Sequence, residues 1–177
     1  VLASFTYRRV REFPISGGPS TCRISEHIAD AEVLGGKILS AMKWDSLAMV
    51  EFRRDARTKS LHLMEINPRI WGSIALAITA GIDFPALALD AAMGYEIKQP
   101  MWNEGVMCHW MFGEILHFLK KGRPFSAFRE AFLTFLGKNS DDIFDWNDFA
   151  PFLVSVISIL LAPFSMKSFN DVFRRGI

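Results

Sequence analysis

The chain has 177 residues, half of them hydrophobic and 22% charged, with a formal net charge of +1. This composition excludes a disordered or collagen-like chain. The near-zero charge excludes a global basic field that would draw the protein to nucleic acid or anionic lipid.

At this length one domain, or at most two, is expected. Residues 1–11 read as a strand, with Phe5, Tyr7, Arg9 and Arg11 on one face at period two. Residues 13–21 carry Pro14, Gly17, Gly18 and Pro19 and read as a loop. A helix is predicted over 25–43, where Ile28, Ala31, Leu34, Ile38 and Met42 recur at helical spacing. Ser25 can cap it and Glu26 suits its first turn. The Gly35-Gly36 pair weakens this helix and predicts close packing against another backbone.

Residues 46–53 and 60–67 read as two short strands joined by a polar hairpin loop over 54–59. Helices follow near 70–80 and 84–93, the second capped by Asp83 and ended by Gly94. Residues 96–105 are irregular. Helices are predicted over 108–121 and 126–136, stopped by Gly122 and Gly137. Asp141, Asp142, Asp145 and Asp148 mark an acidic, helix-capping, solvent-facing loop without an EF-hand pattern. The apolar run 149–166 is broken by Pro151 and Pro163. It falls short of the roughly 20 uninterrupted residues that cross a bilayer, so a core or interface helix is expected rather than a membrane span. Strands first and helices later indicate an α+β fold.

Cys22 and Cys108 make no disulfide framework, so a reducing, cytoplasmic setting is expected. His27, His62, His109 and His117 show no zinc spacing. His109 and His117 read as one face of a helix without carboxylate or thiolate partners, hence as satisfied or surface histidines. Cys108 beside His109 is not read as a nucleophile pair, since neighbours on a helix do not face each other. Trp102, Trp110, Phe112 and Phe118 read as a core stripe rather than an aromatic pocket.

The informative feature is the hairpin. In the simplest register, centred near Thr58, Glu51 lies opposite Glu65 and Met49 opposite Asn67. Val50, Phe52, Met64 and Ile66 then point to the other, core-facing side. Like charges directly opposite are destabilising and require compensation. Arg53, Arg54 or Lys59 could supply it, as could a hard divalent cation, since Mg²⁺ is held by one or two carboxylates plus substrate phosphates. Arg69 follows closely and could neutralise a transferring phosphoryl group. The first turn of the helix at Ile70 offers N–H groups to an anion.

Glu65-Ile66-Asn67-Pro68-Arg69, preceded by Val50-Glu51-Phe52, resembles the metal-binding hairpin of ATP-grasp enzymes. The flanks agree in order: Arg8-Arg9-Val10-Arg11-Glu12-Phe13-Pro14, then Gly17-Gly18-Pro19-Ser20-Thr21, then Ile70-Trp71-Gly72-Ser73, then Ala80-Gly81-Ile82-Asp83-Phe84-Pro85. The set is most similar to the carbamoyl-phosphate-synthase-like, carboxylate–amine ligase branch, and it covers about residues 2–94. The resemblance implies that Glu51, Glu65 and Asn67 hold Mg²⁺ (or Mn²⁺) on the phosphates of ATP. It implies that Arg69 contacts the γ-phosphate or an acyl-phosphate, and that Arg9 or Arg11 faces the phosphates or the acceptor. Gly17, Gly18, Ser20, Thr21, Gly72 and Ser73 would border the substrate. The implied reaction activates a carboxylate with ATP, and an amine then attacks.

The implied architecture is the C-terminal lobe of an ATP-grasp fold over 1–94, an antiparallel sheet with packed helices, followed by a mostly helical extension over 95–177. The family's preceding lobe, with its adenine-contacting strand and Gly-rich loop, has no counterpart here. The chain is therefore expected to be part of a longer protein and inactive alone, its missing partner being the N-terminal lobe. The competing expectation is a non-catalytic lobe whose apolar 149–166 segment mediates homo-oligomerisation, partner binding or membrane contact.

Overall fold

The computed structural model describes residues 1–136 and 140–161, and it is mixed α+β. Its contacts divide it into two units, Val1–Asp142 and a second unit from Ile143 on. The first unit holds β1 (Tyr7–Glu12), β2 (Ser20–Ser25), α1 (Ala29–Ala41), β3 (Met49–Arg54), β4 (Leu61–Asn67), α2 (Ile74–Ala80), α3 (Phe84–Ala92), β5 (Met107–His109), α4 (Met111–Lys120), α5 (Pro124–Phe135) and β6 (Ser140–Asp141). One sheet runs β1-β2-β5-β6, antiparallel except for the β5–β6 pair, and β3 and β4 form a separate two-stranded ribbon.

The first strand is shorter than expected. Residues 1–6 find partners outside a ladder: Ser4 bonds through its backbone to Gln99, and Thr6 Oγ1 donates to Glu26 O and accepts from Ile28 N. The predicted loop ends at Pro19, because Ser20 and Thr21 belong to β2, which the spacing did not reveal. Ser25 is therefore not a helix cap. It lies buried in β2, where its Oγ donates to Asn103 O at 2.7 Å and accepts from Val106 N at 2.9 Å. The helix starts later, at Ala29.

Two one-residue slips interrupt the β1–β2 ladder. Arg9 pairs with Arg23, but Arg11 pairs with Cys22, leaving Val10 as an extra residue on β1. Glu12 then pairs with Ser20, leaving Thr21 as an extra residue on β2. Arg23 and Cys22 are adjacent and face opposite sides of the sheet, so their partners Arg9 and Arg11 do too. The expectation that both arginines share one face fails for this reason.

The hairpin keeps its predicted register where it matters. Met49 pairs with Asn67, Val50 with Ile66 and Glu51 with Glu65. A bulge at Met64 then shifts the ladder, so that Phe52 meets Leu63. Met64 consequently stays 55% exposed instead of joining the core side. Helix α1 packs on that side through Gly35: a Cβ there would stand 3.8 Å from the Phe52 ring and 3.9 Å from Val50 Cβ. The close approach expected of the glycine pair is thus made to side chains rather than to backbone.

Helix α2 begins at Ile74, not Ile70, and ends at Gly81 with φ +113°, a conformation that favours glycine. Asp83 caps α3 as expected, its carboxylate accepting from Ala86 N at 3.0 Å. Trp71, Ala77, Ile82 and Phe84 form the core here, with Phe5, Leu47, Met49 and Trp102 packed around them.

Past the boundary predicted at Gly94, β5 adds a strand to the sheet of β1 and β2. The helix predicted from Cys108 therefore starts at Met111, whose N–H is capped by Asp141 Oδ2 at 2.7 Å. His109 and His117 accordingly lie on a strand and a helix, not on one helix face. Asp141 of the acidic segment caps a helix, α4, as a capping loop would, but the segment is only partly solvent-facing, because Asp142 pairs with the buried Arg23. Helix α5 starts two residues earlier than expected, with Pro124 in its first turn, where a missing N–H costs little. The stop expected at Gly137 lies outside the described residues.

In the second unit, α6 (Ala150–Leu161) adds Phe152 to a knot of Phe144, Trp146 and Phe149 rings, whose paired centroids lie 5.1–6.4 Å apart. Residues 162–166 of the predicted apolar helix fall outside the described residues. Among the described residues, no single helix is long and apolar enough to cross a membrane. Helices α2 and α3 together pass that test of length and composition, but they are bent by 89°.

Candidate active site

Glu51 and Glu65 stand opposite each other on the ribbon, and Asn67 shares their face. Asn67 Nδ2 donates to Glu65 Oε1 at 2.6 Å. This turns the Asn67 amide oxygen toward Arg69, whose guanidinium lies 3.4 Å away and also donates to Ile70 O at 3.0 Å. Arg9 reaches across from β1 and donates to Glu51 Oε1 at 2.9 Å. It also meets Glu12 at 3.3 Å and donates to Gly18 O at 3.0 Å. So Arg9 offsets the opposed carboxylates, and Arg54 does not, being held by Asp30 at 2.7 Å. Glu51, Glu65, Asn67, Arg69, Arg9 and Gly18 are brought together at a half-exposed face.

The donor set of this face is two carboxylates and one amide oxygen. Such oxygen-only ligands suit a hard cation and offer nothing to a soft one. Arg9 and Arg69 add donors for an anion. The residues present therefore fit Mg²⁺ with a polyphosphate.

The Gly17–Thr21 segment is divided. Gly17 has φ +128°, and a Cβ on Gly18 would meet Phe13 O at 2.4 Å, so neither position accepts a side chain freely. Ser20 Oγ donates to Cys22 O at 3.1 Å. Thr21 is fully buried and turned away from the hairpin. Gly72 has open space around it, and Ser73 Oγ lies 2.8 Å from the Tyr7 hydroxyl, which also donates to Met49 Sδ at 3.1 Å. Burial pushes the Tyr7 phenol up, so that it stays protonated.

Arg11 belongs to a second constellation. Its guanidinium meets Glu114 at 2.6 Å and lies 5.3 Å above the Phe118 ring. Thr21 Oγ1 donates to the other Glu114 oxygen at 2.6 Å. His109 Nδ1 stands 3.5 Å from Glu114 and makes no hydrogen bond. Cys22 lies beside both. The expectation that His109 has no carboxylate or thiol partner is therefore overturned: the carboxylate comes from α4 and the thiol from β2. Burial pushes the Glu114 carboxyl up, but the neighbouring His109 and the hydrogen bonds from Arg11 and Thr21 outweigh it and bring it down to about 2. Burial pushes His109 down, but Cys22 and Glu114 outweigh it and raise the imidazole to about 9.

Cys108 sits elsewhere, between Arg23 at 3.7 Å and Asp142 at 3.5 Å. Burial pushes its thiol up to about 12, which leaves it inert. Of the aromatic residues weighed as a pocket, Trp102 stacks on His27 at 3.7 Å with Phe5 at its edge, far in kind from Phe118 under Arg11.

Fold and site together describe an α+β unit that carries a carboxylate hairpin flanked by arginines. The model of the family described as ATP-grasp in the biosynthetic pathway with Ter operon matches residues 9–113, more than half of the chain, and the chain belongs to the ATP-grasp family. Members of that family are in general ATP-dependent ligases and typically use ATP and Mg²⁺. No curated protein and no solved structure matches the chain.

Proposed function

We propose that this chain supplies the metal- and phosphate-binding lobe of an ATP-dependent carboxylate–amine ligase of the carbamoyl-phosphate-synthase-like branch. Residues 1–94 hold most of the lobe, β5 completes its sheet, and the rest of 95–177 is its extension, the adenine-contacting lobe coming from another part of the same protein. The observation that carries the reading is the Glu51–Glu65 cross-strand pair with Asn67 beside it. Glu51, Glu65 and Asn67 would hold Mg²⁺, which when bound neutralises phosphate charge. Arg69 binds the γ-phosphate or the acyl-phosphate oxygen. Arg9, already tethered to Glu51 and Gly18, orients the first carboxylate and faces the phosphates. Gly17, Gly18, Gly72 and Ser73 border the carboxylate and the amine. Phosphoryl transfer of this kind rests on positioning and charge neutralisation.

The test is ATP-dependent phosphate release by the full-length protein with saturating carboxylate and amine. Glu65→Gln and Asn67→Ala should each abolish it, and unchanged turnover in both would sink the proposal. A second reading has its own observation: on α6, Val154, Leu160 and Leu161 are each more than half exposed. A non-catalytic oligomerisation or partner-binding module would use that face. Sedimentation showing a monomer at high concentration, with no liposome binding, counts against it.

A further inference from the structure

The buried constellation on the other face of β1 has a chemistry the hairpin lacks. Cys22 on β2, His109 on β5 and Glu114 on α4 each offer one ligand atom, and these atoms all lie within 4.8 Å of one another. All three side chains are buried, at 0–2% exposure. Sheet register brings two of them together, since Cys22 and His109 are direct partners in the β2–β5 ladder. His109 Nδ1 is buried beside the carboxylate and makes no hydrogen bond there. An orphaned buried nitrogen is costly unless something meets it.

We propose that Cys22, His109 and Glu114 form a structural zinc site. A thiolate, an imidazole and a carboxylate are all donors that borderline-soft Zn²⁺ accepts, and here they supply three of the four corners of its tetrahedron. Zinc bonds of about 2.0–2.3 Å put the ligand atoms of one tetrahedral ion roughly 3.3–3.8 Å apart, so the widest pair needs to close by about an ångström. The outer partners are in place. Thr21 donates to one Glu114 oxygen and Arg11 to the other, which fixes the carboxylate as second-layer hydrogen bonds fix ligands in metal centres. Binding is a proton exchange: Zn²⁺ displaces one proton from the Cys22 thiol and one from the His109 imidazolium, and two protons leave to solvent. The ion ties β2, β5 and α4 together. The same residue types can serve as a nucleophilic triad, but the fully buried Cys22 sulfur admits no substrate carbonyl. The proposal is independent of the hairpin reading, and its readouts do not use turnover.

The experiment uses the full-length protein stripped with chelator and titrated with Zn²⁺, then with Co²⁺. Expected are one ion per chain, a submicromolar Zn²⁺ affinity that weakens as pH falls, and a thiolate-to-cobalt charge-transfer band. Cys22→Ser and His109→Gln should each weaken binding on the order of 100-fold or more, and Cys22→Ser should lose the band. Cys108→Ser and Glu65→Gln should leave both unchanged. A stoichiometry of zero, unchanged affinity in folded Cys22→Ser, or a band lost in Cys108→Ser instead overturns the site. If Cys22→Ser fails to fold by circular dichroism, the cobalt spectrum of the Cys108→Ser, His109→Gln double variant decides: a thiolate band kept in Cys108→Ser and lost when His109→Gln is added supports the site, and a band unaffected by His109→Gln refutes the proposal.

Discussion

Two polar clusters flank the first strand, and they are built on opposite principles. The hairpin cluster is half exposed, uses oxygen ligands only, and leaves its carboxylates close to solvent. The Glu114 cluster is sealed, mixes sulfur, nitrogen and oxygen, and binds one carboxylate to Arg11, Thr21 and His109 at once. An exposed charge can be removed at little cost in stability, because water replaces its partner. A sealed one cannot, because its partners are left charged in a medium that does not solvate them. The difference separates groups available for ligands and turnover from groups committed to holding the fold.

The sharpest way to break this comparison is Glu114→Ala. It strands Arg11 and His109, and should cost about 3–5 kcal/mol in chemical denaturation of the metal-free protein. Thr21→Val removes one buried hydrogen bond to a charged acceptor and should cost about 1.5–3 kcal/mol by the same measurement. Acid should act on the sealed cluster as well. Glu114 is held well below the ordinary glutamate range in the folded state, so its stabilisation is present above about pH 4.5 and is lost as pH falls toward about 2. Denaturation midpoints measured down that range in chelator should fall in the parent and stay flatter in Glu114→Gln. The smallest effect belongs to the hairpin. Glu51→Gln and Glu65→Gln should each shift stability by under about 0.5 kcal/mol while abolishing ATP-dependent phosphate release. A large loss of stability there would erase the distinction.

The hairpin was legible because its evidence is local. Two alternating segments, a polar turn and a helix-breaking Pro68 fix the register within twenty residues, and Glu51 and Glu65 meet as expected. The sealed cluster was not legible, because it depends on pairing between distant strands. The signal for β2 was present in Thr21, Cys22 and Ile24, small or β-branched residues between Pro19 and the helix, but Ser25 fits a helix cap equally well on local rules. Once β2 is absent, β5 has no neighbour, Cys108 and His109 read as helix, and the Cys22–His109 pair cannot be seen. Bulges compound the loss: period two predicts one face for Arg9 and Arg11, which the extra Val10 splits, and the unbulged hairpin predicts Met64 opposite Phe52, where Met64 is itself the extra residue.

The two slips in the β1–β2 ladder act like an insertion followed by its suppressor. Val10 advances one strand by a residue, Thr21 advances the other, and beyond them Glu12 and Ser20 return to the frame set by Tyr7 and Ser25. Only the short window between the slips is read in the inverted sense. A lineage can therefore acquire a buried cluster on the reverse of a working strand without re-addressing a single residue on either side of it. Losing one slip alone would misdirect every side chain downstream, so Val10 and Thr21 should be gained and lost together.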